Sequence, residues 1–229
     1  MDILLVAAHA GIVAQPFESA RARVRIADPD DVGRERVDVA VILDRGLDPR
    51  RFRAARRVVW NPDVPAEENR ALVMARPWPV ADAIFDMQPS ARGDMCLVLA
   101  PDGAPDAIAG RLAERRLRVH VAPRATREGL AEATVVVSVG EGLPAETFAI
   151  LASGRLLVAP ATARTFGLQP WVDFMPYAND DDLVQLADML VSCPGCWAQV
   201  RALARQSAES QRARRALERL ARRITATPG

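Results

Sequence analysis

Runs of apolar residues alternate with segments of helical periodicity along most of the chain. Several runs are apolar at every position, which is typical of strands covered on both faces in a parallel sheet. They predict nine strands, at Ile3–Ala8, Arg23–Ala27, Val37–Leu43, Arg57–Trp60, Ala83–Met87, Met95–Ala100, Arg118–Ala122, Thr134–Val139 and Leu156–Ala159. Helical patterns lie between them, such as APDAIAGRLAERR at 104–116. The alternation predicts an α/β fold with doubly wound parallel sheets and right-handed crossovers.

A turn-rich segment divides these strands, which are many for a single sheet. Residues 87–94 (MQPSARGD) are rich in Pro, Ser and Gly, as linkers are. We therefore predict two Rossmann-like domains, residues 1–90 and residues 91–229, each with four or five strands. The segment from Trp197 to Ile224 predicts a C-terminal helix, in which glutamates are interspersed among the arginines. This mixture favours a solvated helix face over a nucleic-acid-binding patch.

The charge balance excludes some classes of partner. The 229 residues include 30 Lys and Arg against 29 Asp and Glu, a net charge of +1 that gives no reason to expect a nucleic acid. No apolar run approaches the about 20 residues of a transmembrane helix. The first residues, MDILLVAAHAG, lack the basic region of a secretory signal, so we expect a cytoplasmic protein. Lysine is absent, so any side-chain anion contact must use arginine.

Cys193 and Cys196 have the spacing of a redox motif, with Pro194 and Gly195 between them. In a thioredoxin-type site, however, a strand end leads into the motif and a helix N-terminus lowers the thiolate pKa. Here the preceding residues 181–192 have a helical period, so the motif predicts a break between two helices. We expect no redox chemistry there. Two cysteines without further ligands nearby are also too few for a zinc site, and we predict no metal.

The stretch 134–154 has the pattern of a ligand-binding turn. An apolar strand ends at Val139, a Gly-Glu-Gly turn follows, and an Ala-rich helix with Pro144 near its start ends at Gly154. In open parallel sheets, ligands bind outside the carboxyl ends of the strands, where this turn lies. Backbone N–H groups at residues 142–145 would suit a phosphate, and Glu141 could bind a sugar hydroxyl or move a proton. The alternative is that Gly140 and Gly142 serve an ordinary turn and Glu141 is merely exposed.

The same stretch resembles the donor-site motif of GT-B nucleotide-sugar glycosyltransferases, of the glycosyltransferase group 1 type. The family pattern runs Glu-Gly-x-Pro, four residues, Glu-Ala-x-Ala-x-Gly, and then an apolar strand. Glu141, Gly142, Pro144, Ala152 and Gly154 are in register with it. The sequence RLLVAP and the segment FGLQPWVDFMPYANDDDLVQLADML are similar to the family's continuation. The resemblance covers roughly residues 130–205.

This resemblance implies a site in which a nucleotide-sugar donor binds and a glycan or small-molecule acceptor, not identified by the sequence, receives the sugar. The donor would contact Gly140, Gly142, Leu143, Pro144, Ala145 and Arg124, the last of which follows a predicted strand. Glu141 would be a catalytic group. His9, just after the first strand, would orient the acceptor or a phosphate, although a half-buried structural histidine is an equal alternative. The resemblance implies no cofactor and no metal beyond the nucleotide sugar.

One departure from the family pattern keeps an alternative open. The family has a second glutamate eight residues after the first, which holds the ribose, and this chain has Ala149 there. Glu146 is expected on a different side of the helix and so is a poor substitute. The chain is therefore either a transferase or a degenerate relative that binds a nucleotide or glycan, or assists a partner enzyme, without turnover. Another Rossmann-type binder is a third reading, although residues 9–16 lack the G-x-G-x-x-G pattern.

Overall fold

The structure, a computed structural model, describes residues 2–6, 23–27, 37–42, 54–59, 72–73, 80–88, 93–100, 106–140, 142–163 and 166–212, together with residues 215, 218, 219 and 222. Its contacts group the chain into two compact units. One unit is Met1–Ala81 with Gln211–Gly229, and the other is Asp82–Ser210. The domain boundary predicted after residue 90 stays a prediction.

The first unit contains a parallel sheet of five strands. In chain order the strands are β1 (Asp2–Val6), β2 (Arg23–Ala27), β3 (Val37–Ile42), β4 (Ala54–Val59) and β5 (Leu72–Val73). They lie side by side in the order β2-β1-β3-β4-β5. Strand β3 has Ala40, Val41 and Ile42 fully buried, as the apolar run after Asp38 predicts. The two-residue strand β5 was not predicted, because so short a run carries no periodicity.

The second unit contains another parallel sheet of five strands with an equivalent order. Its strands are β6 (Met95–Leu99), β7 (Arg118–Ala122), β8 (Val135–Ser138), β9 (Leu156–Pro160) and β10 (Met175–Tyr177). They lie in the order β10-β9-β8-β6-β7. The chain thus places β7 on one side of β6 and β8 on the other. The strand order reverses between β6 and β8, and this reversal is where ligands bind in open α/β sheets.

Six α-helices with described bounds lie in the second unit, and the described residues 215, 218, 219 and 222 of the first unit are helical as well. The six are α1 (Asp82–Phe85), α2 (Asp106–Glu114), α3 (Arg127–Glu132), α4 (Thr147–Ala152), α5 (Asp180–Ser192) and α6 (Ala198–Ala208). The predicted strand Ala83–Met87 is wrong, because α1 occupies this stretch. Ile84 and Phe85 are buried while Asp82 and Ala83 are exposed, so the apolar run covers one side of a helical turn. A short apolar run does not distinguish a buried strand from a buried helix.

The core of the second unit explains its element order. Strands β6, β8 and β9 are buried at every position. In β6, Cys96 and Val98 join a cluster with residues of α2 and α5. The intervening Leu97 approaches Gly129 of α3. Alternate side chains of a strand point to opposite faces, so helices cover both faces of this sheet and only the strand ends remain available for a site.

Arg155, just before β9, is a charged residue in this core and is only 2% exposed. Its Nε donates to the carbonyl of Leu130 at 2.7 Å, and its Nη1 to the carbonyl of Ser153 at 2.7 Å. Its Nη2 donates to the backbone carbonyl of Gln88 at 2.7 Å. Burial, with the nearby charges of Arg201 and Arg205, lowers the pKa of Arg155 to about 10. The guanidinium therefore ties α3, the end of α4 and the segment after α1 together.

The cysteine pair lies between two helices, as its sequence predicts. Helix α5 ends at Ser192, a 3-10 turn covers Pro194–Trp197, and α6 follows. Cys193 and Cys196 form a disulfide with their Cα atoms 5.5 Å apart. The predicted C-terminal helix from Trp197 to Ile224 is present in part: α6 ends at Ala208, a 3-10 turn follows at Glu209–Gln211, and the described residues 215, 218, 219 and 222 are helical again. No helix among the described residues is long and apolar enough to cross a membrane.

Candidate functional site

The turn after β8 adopts a backbone that requires glycine. Strand β8 ends at Ser138, and the N–H of Val139 donates to the carbonyl of Leu99 on β6 at 2.9 Å. Gly140 then has φ +130° and Gly142 has φ +106°. Residues with a Cβ rarely adopt such values, so the two glycines permit the chain to reverse direction here. A Cβ added at either glycine would meet nothing within 4 Å, so open space lies beside both.

Tyr177, at the end of β10, fixes the start of this turn. Its hydroxyl donates to the carbonyl of Ser138 at 3.1 Å. Burial and the negative charge of Asp180 raise the pKa of Tyr177, and a backbone hydrogen bond with Gly140 partly offsets them. The phenol therefore contacts the backbone on both sides of Val139. The sequence did not indicate this role, because residues 39 positions apart are joined only by the fold.

Helix α4 begins later than the sequence predicts. Pro144 was expected among the first helical positions, but the helix runs from Thr147 to Ala152. The carbonyl of Pro144 accepts from both the N–H of Thr147, at 3.0 Å, and its hydroxyl, at 2.5 Å. This turn precedes the helix and makes Glu146 the residue at its N-cap. Gly154 follows the helix with φ +73°, which confirms its predicted place at the helix end.

A cavity of about 300 Å³ opens at the carboxyl ends of β6, β7 and β8. This is the edge of the sheet at which the strand order reverses. All six residues predicted to contact the donor line it, namely Gly140, Gly142, Leu143, Pro144, Ala145 and Arg124. Leu99, Pro123, Ser138, Val139 and Glu146 complete the lining among the described residues. The fold thus brings together two sequence segments, the turn after β7 and the turn after β8.

Glu146 is a site residue that the sequence reasoning set aside. It is 6% exposed and lies in the lining of the cavity. Burial raises the pKa of its carboxyl group, while a hydrogen bond to its own backbone and the charge of Arg124 partly offset this effect. The sequence placed Glu146 on a different side of the helix from Ala149, and of these two residues Glu146 is the one in the described lining of the cavity. Glu146 is the N-cap residue of α4, so it lies where the glycine turn meets the helix.

No protein-family model and no curated protein matches the chain. Solved structures do match it. A glycosyltransferase from Rickettsia africae ESF-5 matches with a TM-score of 0.61 and 10% identity, over 99% of this chain and 99% of that chain. Anabaena Alr3699/HepE in complex with UDP matches with a TM-score of 0.62 and 10% identity, over 99% of this chain and 100% of that chain.

The chain has a glycosyltransferase fold. The match spans both parallel sheets and confirms the α/β, GT-B-like architecture predicted from the sequence. Within this fold, the cavity beside β6 and β8 is a candidate ligand site, because the six residues named in the sequence analysis meet there.

Three residues singled out in the sequence, Glu141, His9 and Ala149, are not among the described residues that line the cavity. Glu141 and His9, the predicted catalytic groups, lie outside the described residues. Ala149 is buried in α4, and the described lining of the cavity does not include it.

Among the residues that the structure describes, no three His, Cys, Asp or Glu side chains cluster as metal ligands would. In the described lining of the cavity, Arg124 and Glu146 are the charged side chains.

Proposed function

We propose that the protein transfers a sugar from a nucleotide-sugar donor, and that the nucleotide diphosphate binds in the cavity between β6 and β8. The observation that carries the proposal is the convergence of Arg124 with the Gly140–Ala145 turn at one sheet edge. Strand order predicts a ligand at this position for any open α/β sheet. The UDP in the structure of Alr3699/HepE, a protein of the same fold, makes a uridine nucleotide the first probe.

The chemistry of the cavity suits a diphosphate. Arg124 supplies a guanidinium, which is the only basic side chain in the described lining and has the fork geometry that binds phosphate oxygens in pairs. Open space beside Gly140 and Gly142 lets the backbone of the turn approach the ligand closely. Such glycine turns commonly present backbone N–H groups to anions. The described lining thus offers one cation and one approachable backbone segment to the phosphates.

Glu146 supplies the polar contact for the neutral part of the donor. Its carboxyl group lies in the same lining as Arg124 and is almost fully buried. Carboxyl oxygens accept hydrogen bonds from the paired hydroxyls of a ribose or a sugar ring. We assign Glu146 to hydroxyl binding and keep Glu141 and His9 as the proposed catalytic groups. The acceptor would be a glycan or a small molecule.

Calorimetric titration with UDP, GDP and ADP tests the nucleotide part of the proposal. We expect one of the three to bind, and Arg124→Ala to weaken its affinity by roughly tenfold to a hundredfold, as the loss of a charged hydrogen bond does. The matched control is Arg127→Ala, because Arg127 is an exposed arginine on α3 that does not line the cavity. No heat with any nucleotide at millimolar concentration, or equal losses in both variants, would contradict the proposal.

Turnover is tested separately, because a nucleotide-binding relative without catalysis would pass the titration. Release of nucleotide from UDP-sugars, GDP-sugars and ADP-sugars is measured with and without a panel of simple glycosides as acceptors. We expect Glu141→Gln to abolish release while leaving nucleotide affinity and melting temperature close to those of the wild type. A wild-type protein that binds the intact donor and never releases the nucleotide would favour the binding-only alternative.

A further inference from the structure

Trp171 is displayed on a strained turn of the second unit. The residue is 60% exposed, an unusual state for the largest apolar residue. Its φ is +68°, in the left-handed region that residues other than glycine, asparagine and aspartate avoid. A bulky residue in this conformation costs about 1–3 kcal/mol, so the surrounding structure must hold it.

The turn that carries Trp171 is held by hydrogen bonds. The N–H of Trp171 donates to the carbonyl of Phe174 at 2.7 Å. Asp173, which is 5% exposed, accepts from the N–H of Gln169 at 2.7 Å and from the hydroxyl of Ser207 on α6 at 2.7 Å. A buried carboxylate therefore anchors the turn to the helix behind it. The backbone that presents the indole is fixed before any ligand arrives.

A cavity of about 490 Å³ lies beside the indole, at the edge strand β10. Four residues of α5 form one side of it, at the helical spacing of a single face: Asp182, Gln185, Leu186 and Met189. The carboxylate of Asp182 is oriented by contacts at 3.2 Å with the amide of Asn179 and at 3.3 Å with the N–H of Ala178. This groove, the Trp171 cavity, shares no described lining residue with the cavity beside β6 and β8.

We propose that the Trp171 cavity binds a carbohydrate ring, which stacks on the indole and directs its hydroxyls to Asp182 and Gln185. A pyranose has one face of C–H bonds and a rim of hydroxyls. The electron-rich face of an indole attracts polarised C–H groups, and the carboxylate and carboxamide can bind the rim. The volume also falls within the range of small-molecule sites.

The polar side chains distinguish a sugar from a purely apolar ligand. An alkyl chain in this groove would bury Asp182 and Gln185 without replacing their hydrogen bonds to water, which is costly. A sugar ring replaces those bonds while it covers Trp171 and Met189. The site therefore fits an amphipathic ring better than a lipid tail. The proposal does not rest on the nucleotide cavity, and it holds whether or not the protein is a transferase.

The test uses methyl glycosides of glucose, galactose, mannose and N-acetylglucosamine, without nucleotide. Saturation-transfer NMR is expected to show ring-proton contacts for at least one of them. Trp171→Gly removes the indole and is expected to fold well, because glycine suits φ +68° without strain. We expect it to weaken binding by about tenfold or more, and Trp171→Phe to retain part of the affinity. Trp197→Phe, on the 3-10 turn outside the cavity, is the control.

A second pair of variants separates the sugar from other occupants. Gln185→Leu is expected to weaken glycoside binding, whereas an apolar ligand would bind this variant more tightly. Three results would overturn the proposal: no contact with any glycoside, equal contacts in the wild type and Trp171→Gly, or stronger binding by Gln185→Leu. A wild-type dimer that Trp171→Gly dissociates, with no glycoside contact, would instead assign the groove to a second copy of the chain.

Discussion

Arg124 and Glu146 line the same cavity, and the charge of Arg124 counteracts the effect of burial on the Glu146 carboxyl group. Burial alone makes ionisation of Glu146 unfavourable, because a buried carboxylate loses its hydration. A neighbouring guanidinium restores part of that loss. The two residues come from the turns after β7 and β8, so their coupling exists only at the sheet edge where both strands end. An anion that pairs with the guanidinium of Arg124 therefore changes the proton affinity of Glu146.

We therefore predict that binding of a nucleotide sugar is accompanied by proton uptake at Glu146. The diphosphate adds negative charge to the cavity and engages Arg124, and both effects raise the pKa of Glu146 further, whereas hydrogen bonds from the hydroxyls of the donor lower it. We expect the two charge effects to prevail. By linkage, affinity should strengthen as the pH falls through the window between the pKa values of the empty and occupied protein. The measurement is calorimetric titration with UDP-glucose in buffers of different ionisation enthalpy, because its phosphate diesters do not titrate in this range.

The control for this prediction is Glu146→Gln, which keeps the shape of the side chain and cannot titrate. We expect its binding enthalpy to be the same in all buffers and its affinity to lose the pH dependence. If the wild type binds UDP-glucose with the same enthalpy in every buffer, no proton is taken up, and the predicted coupling between Arg124 and Glu146 on binding is contradicted. The proposal that the cavity binds a nucleotide sugar would not be affected, because the titration measures the affinity and the proton uptake separately.

The stability of the empty protein should also depend on Glu146. Its pKa is raised in the folded state, so its protonated form favours folding. This contribution is complete below the unfolded value, about 4.3, and is lost as the pH rises through the raised pKa. We expect Glu146→Gln to be at least as stable as the wild type at pH 8, and the difference to shrink toward pH 4. Urea denaturation at several pH values measures it; a variant destabilised most at pH 8 would contradict the assignment.

Gly140 and Gly142 should tolerate substitution poorly for a backbone reason alone. Neither glycine leaves a Cβ in a clash, so the cost of alanine arises from the positive φ. We expect Gly140→Ala to lower the free energy of unfolding by about 1–3 kcal/mol and to weaken nucleotide binding by displacing the turn. The control is Gly110→Ala on the exposed side of α2, which should be stabilising by about 1 kcal/mol. Equal effects at the two positions would argue against a strained turn.

Local patterns predicted much of this site. The apolar run of β8 and the spacing of Gly140, Gly142 and Gly154 sufficed to place a ligand-binding turn at a strand end. They identified residues that share one cavity because βα turns of a parallel sheet meet at one edge. Glu146 was set aside because it lies three residues before position 149, where the family has its second glutamate. The N-cap position of Glu146 depends on where α4 begins, and the hydrogen bonds of Thr147 to Pro144 at that point are not a pattern in the sequence.

Features that depend on distant contacts were not predictable. Tyr177 reaches the backbone of Ser138 only because β10 and β8 flank β9 in the sheet. Arg155 is a charged residue that the fold buries, and its partners are backbone carbonyls, which every sequence has. Strand β10 is three residues long and contains Pro176, so neither length nor periodicity marked it. In each case the information lies in the packing rather than in neighbouring residues.

Arg155 should contribute strongly to the stability of the second unit. Arg155→Met keeps the apolar stem but leaves the buried carbonyls of Leu130 and Ser153 without their donors. Each buried, unsatisfied group costs about 1–3 kcal/mol, so we expect a loss of about 2–5 kcal/mol in urea denaturation. The matched control, Arg127→Met, changes an exposed arginine and should stay within about 0.5 kcal/mol of the wild type. Similar losses in both variants would refute a structural role specific to Arg155.

Cys193 and Cys196 should be dispensable for the fold and for sugar transfer. They form a disulfide across the 3-10 turn after α5, and a helix rather than a strand end leads into the motif. A cross-link that closes so short a loop restricts the unfolded chain by only about 2 kcal/mol, so the double Cys→Ser variant is expected to melt somewhat earlier with an unchanged circular dichroism spectrum. Neither protein should reduce insulin in the presence of a thioredoxin-reducing system. If the wild type reduces insulin above background and the double variant does not, redox chemistry would be the primary activity of this segment. The interpretation of the motif as a structural break between two helices would then be wrong.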